Sequence, residues 1–292
     1  MIDFYIKKTS NLLADVNVPG GTNFGPQALE NIGTMENKGV EFNVNAQPIR
    51  GKVFNWDANF NIGYNKNTIT SLGDTAYATD GIGNGDNAQI YQAGYAKSTF
   101  NLYKQIYGQN GKPIEGLFDD VNRDGIINSS DLVKGKQSDP NVFLGFSSTF
   151  SYKRLSLGFV LRASFNNYVY NAVDALEGIG SKILQSGAGV GNATTNYLYT
   201  QFAATTVATS TQAFSDYYLQ NASFLKMDNL SFGYDCGKIF KNSPANLRVS
   251  LNVQNVFTIT NYTGIDPEVS NGVDNNQYPR PRVISVGLNL NL

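Results

Sequence analysis

Val53-Phe54-Asn55-Trp56-Asp57-Ala58-Asn59-Phe60-Asn61-Ile62-Gly63-Tyr64-Asn65 alternates with a period of two along its length. One face carries Phe54, Trp56, Ala58, Phe60, Ile62 and Tyr64; the other carries Asn55, Asp57, Asn59, Asn61, Gly63 and Asn65. Soluble sandwich strands alternate too, but usually for fewer residues. Roughly ten alternating residues is the length a tilted strand needs to cross a bilayer. The stretch therefore predicts a barrel wall, apolar toward lipid and polar toward a wet lumen, built to hold or move solutes.

The same pattern recurs outward from this stretch. Gly39–Ala46 sets Val40, Phe42 and Val44 against Glu41, Asn43 and Asn45, and Leu144–Tyr152 and Leu155–Phe165 repeat the parity. Leu247–Val253 and the C-terminal run of Ile284, Val286, Leu288, Leu290 and Leu292 do the same. Phe224–Tyr234 changes phase between Met227 and Leu230, which predicts a bulge near Asp228-Asn229. Phe100–Tyr107 and Ile2–Lys7 are weaker candidates, and parity of the connections asks for one more strand between Gln89 and Tyr95. Short connections then alternate with long ones, as in outer-membrane barrels with short periplasmic turns and long outer loops. A short helix is expected within Asn167–Gln185, and Asn192–Thr211, rich in Ala, Thr and Ser, reads as loop.

Composition excludes several classes. The chain has 292 residues, with 22 Lys+Arg against 23 Asp+Glu, so there is no nucleic-acid surface. No apolar run approaches the roughly 18 residues of a membrane helix. Seventeen Tyr and 18 Phe against one Trp suit interfacial girdles. The absence of His removes Ser-His-Asp, Cys-His and His-metal chemistry, and lone Cys236 has no base beside it, so no catalytic residue is assigned. Gly81–Gly85 and Gly187–Gly191 lack the strand and helix that a phosphate loop needs. Met1–Lys8 lacks the features of a signal peptide, so either the chain is not exported or Met1 is internal to a longer protein. About ten strands are too few for such long loops, and unpaired edges are costly in lipid, so the chain is expected to be part of a larger barrel.

The sharpest local motif is Asp120-Val121-Asn122-Arg123-Asp124-Gly125-Ile126-Ile127-Asn128-Ser129-Ser130-Asp131. It fits the calcium-loop spacing, with oxygens from Asp120, Asn122, Asp124, the Ile126 carbonyl and Asp131. A metal-free loop held by Asx turns is the alternative. Tyr168, Tyr170, Tyr197, Tyr199, Tyr217, Tyr218 and Tyr262 either stack on a sugar-like solute or pack loops. Arg162 and Arg248 are expected on the lumen side, meeting solute or pairing with acids.

Four segments carry a family resemblance. They are Asn31-Ile32-Gly33-Thr34-Met35-Glu36-Asn37-Lys38-Gly39-Val40-Glu41 with the hairpin that follows it, Phe118–Ile127, Phe224–Tyr234, and Asn255–Glu268 with Tyr278-Pro279-Arg280-Pro281-Arg282. Together they resemble the C-terminal barrel region of SusC-type TonB-dependent transporters of Bacteroidetes. The resemblance implies an all-β, transmembrane antiparallel barrel of about 22 strands with a plugged lumen, placed in the outer membrane. It implies import of an oligosaccharide or peptide, a SusD-like surface lipoprotein as lid, and TonB contacted through an N-terminal part, with plug and signal peptide, that this chain lacks. The chain departs from many outer-membrane barrels in ending on Leu292 rather than an aromatic residue. Competing readings are a siderophore or cobalamin receptor, a passive porin, and a secreted calcium-stabilised β-sandwich.

Overall fold

The computed structural model describes residues 1–17, 27–31, 33–72, 82–83, 88–178, 214–238 and 245–291. Its largest element is an eight-stranded sheet made of β1 (Ile2–Ser10), β2 (Thr34–Arg50), β3 (Phe54–Ser71), β4 (Val142–Tyr152), β5 (Leu155–Phe165), β6 (Phe224–Lys238), β7 (Asn246–Thr260) and β8 (Val283–Asn291). Every strand bonds antiparallel to its neighbours in the chain, giving a simple meander that is not closed within this chain. Gly51–Val53 and Lys153-Arg154 make two of the turns at one end, and all long connections leave from the other.

Register converts the sequence alternation into two continuous faces. Phe42, Ile62, Leu144 and Ala163 lie in one row, and Leu157, Phe232, Leu251 and Val286 in another. The opposite face has Asn43, Asn61, Gly145 and Arg162 in one row and Asn45, Asn59 and Ser147 in the next. Leu157, Phe232, Leu251 and Val286 of the second row are all exposed, whereas a sandwich buries such a face on its second sheet, so the β-sandwich reading is overturned. From Phe54 to Tyr64 the apolar face runs about 33 Å along the strand, or about 25 Å at the tilt usual in barrels, the height of a lipid-facing band.

At the short-turn end, Phe150 stacks with Phe54 at 6.3 Å and with Trp56 at 5.7 Å. Ser148, the one polar residue on the apolar face of β4, is 2 % exposed and accepts 2.8 Å from the Trp56 indole N–H. The indole thus satisfies a hydroxyl that would otherwise be desolvated unpaired. Pro48, which cannot donate to a ladder, falls in the register break between Ala46 and Ile49.

The predicted bulge is present. Registers of β5 against β6 and of β6 against β7 both slip around Asp228. Of the weak strand candidates, Ile2–Lys7 belongs to the wall as part of β1, while the other two lie outside it. Gln89–Tyr91 and Thr99–Tyr103 pair with each other and join Leu132–Gln137 and Ile82–Gly83 in a separate four-stranded sheet, while Gln105–Tyr107 pairs with Pro113–Phe118. They are too short to span a wall, and Gln89, Ile90, Thr99 and Phe100 are all buried, so both faces of this pair are covered. Removing both leaves the alternation of short and long ends intact.

The buried core sits in these long connections, not behind the wall. Ala88, Phe100 and Leu102 from 72–141, Tyr170, Ala172, Ala175 and Tyr218 from 166–223, and Val273 from 261–282 form one cluster. Tyr168–Asn171 pairs antiparallel with Leu219–Asn221 and parallel with Val273–Asp274. The expected short helix is α1 (Ala172–Glu177), capped by the Asn171 side chain, which accepts 3.0 Å from the Asp174 N–H. Three loops from three hairpins thereby share one cap. Asn192–Thr211, Gly187–Gly191 and most of Gly81–Gly85 lie outside the described residues.

Candidate functional site

Arg162 on β5 and Lys226 on β6 are register partners on the polar face. Two cations directly opposite repel, and three carboxylates answer them. Arg162 grips Asp228, the bulge residue, through Nε and Nη2, and grips Glu268 through Nη1 at 2.6 Å and Nη2 at 3.1 Å. Both are forked contacts, for which the planar guanidinium is suited. Lys226 donates 2.8 Å to Asp266 and 2.6 Å to Glu268 and is 3 % exposed. Arg280 adds contacts of 3.2 Å to Asp266 and 3.0 Å to Glu268. The Phe224 ring lies 5.8 Å from the Arg162 guanidinium carbon and 5.2 Å from the Lys226 ammonium. Three cations and three anions close a neutral cluster.

Burial works against the Glu268 anion, but hydrogen bonds and charge from Arg162 and Lys226 outweigh it and hold its carboxyl down at about 2. Asp266, Glu268 and Arg280 all belong to 261–282, so this segment folds back over the polar face. Beside it opens a concavity of about 680 Å³, lined by Asn59, Asn61, Ser147 and Ser164 from the wall, Phe143 and Val160 as apolar patches, and Pro267 to Ser270 from the segment. Gly145 keeps its floor open: a Cβ there would stand 2.8 Å from the Asn61 side-chain amide.

Asp120 accepts from the N–H groups of Asp124 at 3.2 Å and Gly125 at 2.8 Å, and Asp124 from that of Ile126 at 2.8 Å. Asn122 accepts 3.0 Å from the Asp124 N–H and donates 2.9 Å to the Asp124 carboxylate. Gly125 takes the left-handed φ of +82° that the turn requires. Asp131 is fully buried and accepts from Val121 at 2.9 Å and Asn128 at 2.9 Å. Those N–H groups, Asn128 first and with Asn122 assisting, hold its carboxyl below the ordinary range against burial. Among the described residues no three acidic, His or Cys groups converge as a metal cage, so Asp120, Asp124 and Asp131 are not gathered on one point.

The loop tyrosines divide. Tyr170, Tyr218 and Tyr262 are buried in the cap, and Tyr217 packs edge-on to Tyr218 at 5.0 Å. Tyr262 donates 2.6 Å to Asp274, and burial raises its phenol well above the usual range, as it does for Tyr170 and Tyr218. Tyr197 and Tyr199 lie outside the described residues. Arg248 donates 3.0 Å to Ser156 on the polar face, and Cys236 is a half-buried free thiol.

Over 99% of its length the chain is 42% identical to TonB-dependent receptor SusC of Bacteroides thetaiotaomicron. The chain is SusC-like, a TonB-dependent receptor barrel segment. It is also 28% identical to TonB-dependent receptor P3 of Formosa agariphila, again over 99% of the chain. The structure of the RagAB peptide transporter superposes with a TM-score of 0.78 at 27% identity, covering 99% of this chain and 33% of that one. No family model matches. The SusC-like chain spans 30% of SusC and 32% of P3. Its relatives are receptors and transporters by name and not enzymes.

Of the cluster, sequence reasoning singled out Arg162 alone. Lys226, Asp228, Asp266, Glu268 and Arg280 went unassigned. The signal lay in the phase break at Asp228, which sets a carboxylate beside two cations of one face.

Proposed function

We propose that the chain forms wall and outer loops of an outer-membrane, TonB-dependent importer of an oligosaccharide or a peptide, working with a SusD-like surface lipoprotein. The observation that carries this reading is the meander itself: one exposed apolar face with the height of a lipid-facing band, one polar face lined by Asn, Ser and charged residues, and long connections at one end only. The likeness to SusC and to the RagAB peptide transporter supports the transport class, and the latter supports a peptide as one candidate solute. Solute would be captured at the cap, enclosed by the lipoprotein, and passed inward as a plug contributed by a preceding part of the protein is pulled by TonB.

The test is to tag the intact gene product in its host and fractionate the envelope. Recovery in the outer membrane with a surface lipoprotein, and loss of growth on one oligosaccharide or peptide source after deletion of the gene, are the expected results. Recovery as a soluble protein, or unimpaired growth on every such source, overturns the reading.

We also propose that calcium, when present, draws the loop 120–131 closer around itself, with Asp120, Asn122, Asp124, the Ile126 carbonyl and Asp131 as ligands that the loop on its own does not gather on one point. The spacing and the Gly125 turn support this. The Asp120 oxygens and Asp131 Oδ2 each accept a single N–H and keep a second lone pair for a cation, whereas Asp131 Oδ1 already accepts from both Val121 and Asn122. The ion would stiffen the outer loop.

A further inference from the structure

We propose that Arg162 and Lys226 are positioning residues of a permanent latch, which makes the segment 261–282 a fixed wall of the lumen concavity and not a moving gate. A gate needs a stretch with few contacts that opens at little cost. This segment is held at four places. At its start, Thr263 donates 2.9 Å to the Gln220 side-chain carbonyl from both its N–H and its hydroxyl, and Tyr262 and Val269 pack with Val169 and Ala222. In its middle, Asp266 and Glu268 are gripped by Lys226 and Arg162. Further on, Val273–Asp274 is hydrogen-bonded as a parallel strand to Tyr168–Asn171. At its exit, Asn255 in a left-handed turn donates 2.8 Å to the Arg280 carbonyl, while Arg282 donates 3.3 Å to the Asn255 carbonyl.

The charges resist opening for a reason of stoichiometry. Three pairs cross from the wall to the segment, Arg162 to Glu268 and Lys226 to both Asp266 and Glu268, so lifting the segment separates all three in one step, while Arg280 moves with it. Lys226 could not follow the segment outward, because its ammonium is buried against the wall over Phe224. Lifting would strand that charge, at a cost well above that of an exposed ion pair. Resting on the transport reading, this says that solute slides past a preset surface, and that motion during uptake belongs to other parts of the protein.

Hydrogen exchange on the intact, detergent-purified protein tests the latch without needing the solute. In the natural protein, 261–282 should exchange as slowly as β5 and β6. Lys226→Met should speed exchange in 261–282 about tenfold or more while β5 and β6 keep their protection. Fast exchange of this segment in the natural protein, or a Lys226→Met profile identical to it, overturns the proposal. If Lys226→Met does not assemble, Glu268→Gln removes the carboxylate that both wall cations grip and should speed exchange in the same segment by a comparable factor; no change there is equally decisive against it. Failure of the transport reading would show separately, as unimpaired growth of the deletion strain.

Discussion

Arg162 and Lys226 stand directly opposite each other across β5 and β6, two cations in adjacent strands held together by carboxylates that neither strand's regular register supplies. Asp228 comes from the bulge and Glu268 from a loop forty residues on. The arrangement makes the wall depend on a loop for its electrostatic balance, and measurable consequences follow for both.

Truncating Lys226 to Met leaves Asp266 and Glu268 facing each other with less neutralisation in a buried site. Loss of one partner of a buried ion pair costs about 3 kcal/mol or more. Chemical unfolding of the intact barrel in detergent should show this loss, and Arg280→Gln, at a half-exposed position, should cost under about 1 kcal/mol. Equal effects of the two would mean that burial does not set their worth.

The Glu268 carboxyl is held at about 2 in the folded protein against an ordinary 4.5. Because the folded value is the lower one, the unfolded state binds the proton more readily. Its stabilising contribution is complete above about pH 4.5 and is lost as pH falls from there through about 2. Protease cleavage within 261–282 should stay slow from neutral pH down to about 5 and rise below it. In Glu268→Gln the acid-induced rise should be blunted; an unchanged rise would place the titrating group elsewhere.

Trp56 is the only tryptophan and lies on the apolar face with its N–H bonded to Ser148. In lipid its emission should be blue-shifted and quenched by brominated acyl chains rather than by iodide. Trp56→Phe leaves the Ser148 hydroxyl unpaired and should cost about 1–2 kcal/mol, most of which Ser148→Ala in the same chain should return. Iodide quenching would put this face in water and sink the lipid assignment.

Calcium added to the intact protein should slow protease nicking between residues 109 and 141. Half-effect is expected in the range of about 10⁻⁴–10⁻³ M typical of extracellular sites. Asp124→Ala should abolish the response. Cleavage unchanged up to several millimolar, on the order of the weak limit of such sites, would leave the loop held by its own Asx turns alone.

Much of the wall was legible in the sequence because its order is local. Every wall strand pairs with its chain neighbour, and a period of two in Phe54–Tyr64 or Leu155–Phe165 already fixes which side each residue faces. The phase slip at Asp228 was legible for the same reason. The gap in apolar parity at Ser148 reads as a break in the pattern until the cross-strand position of Trp56 supplies the donor. The parity of the connections asks for a wall strand near Gln89–Tyr91, but it comes out the same once Thr99–Tyr103 also leaves the wall. Thr99–Tyr103 looks, residue by residue, like a fragment of a wall although it is buried against Gln89–Tyr91. The ion cluster stayed hidden because Arg162 and Glu268 are 106 residues apart, and no periodicity reports a contact of that span.

The three outer connections have a single hydrophobic interior, in which Phe100, Tyr218 and Val273 each come from a different hairpin. Gly272, at a φ of +78°, shows how tightly they mesh: a Cβ there would come within 2.2 Å of the Ser138 side chain in another connection. Such loops are not independent modules. Exchanging one of them for a relative's would leave the other two without their packing partners. Change among relatives should therefore proceed by correlated substitutions across all three loops, and a chimera should fold only when the three are transplanted together.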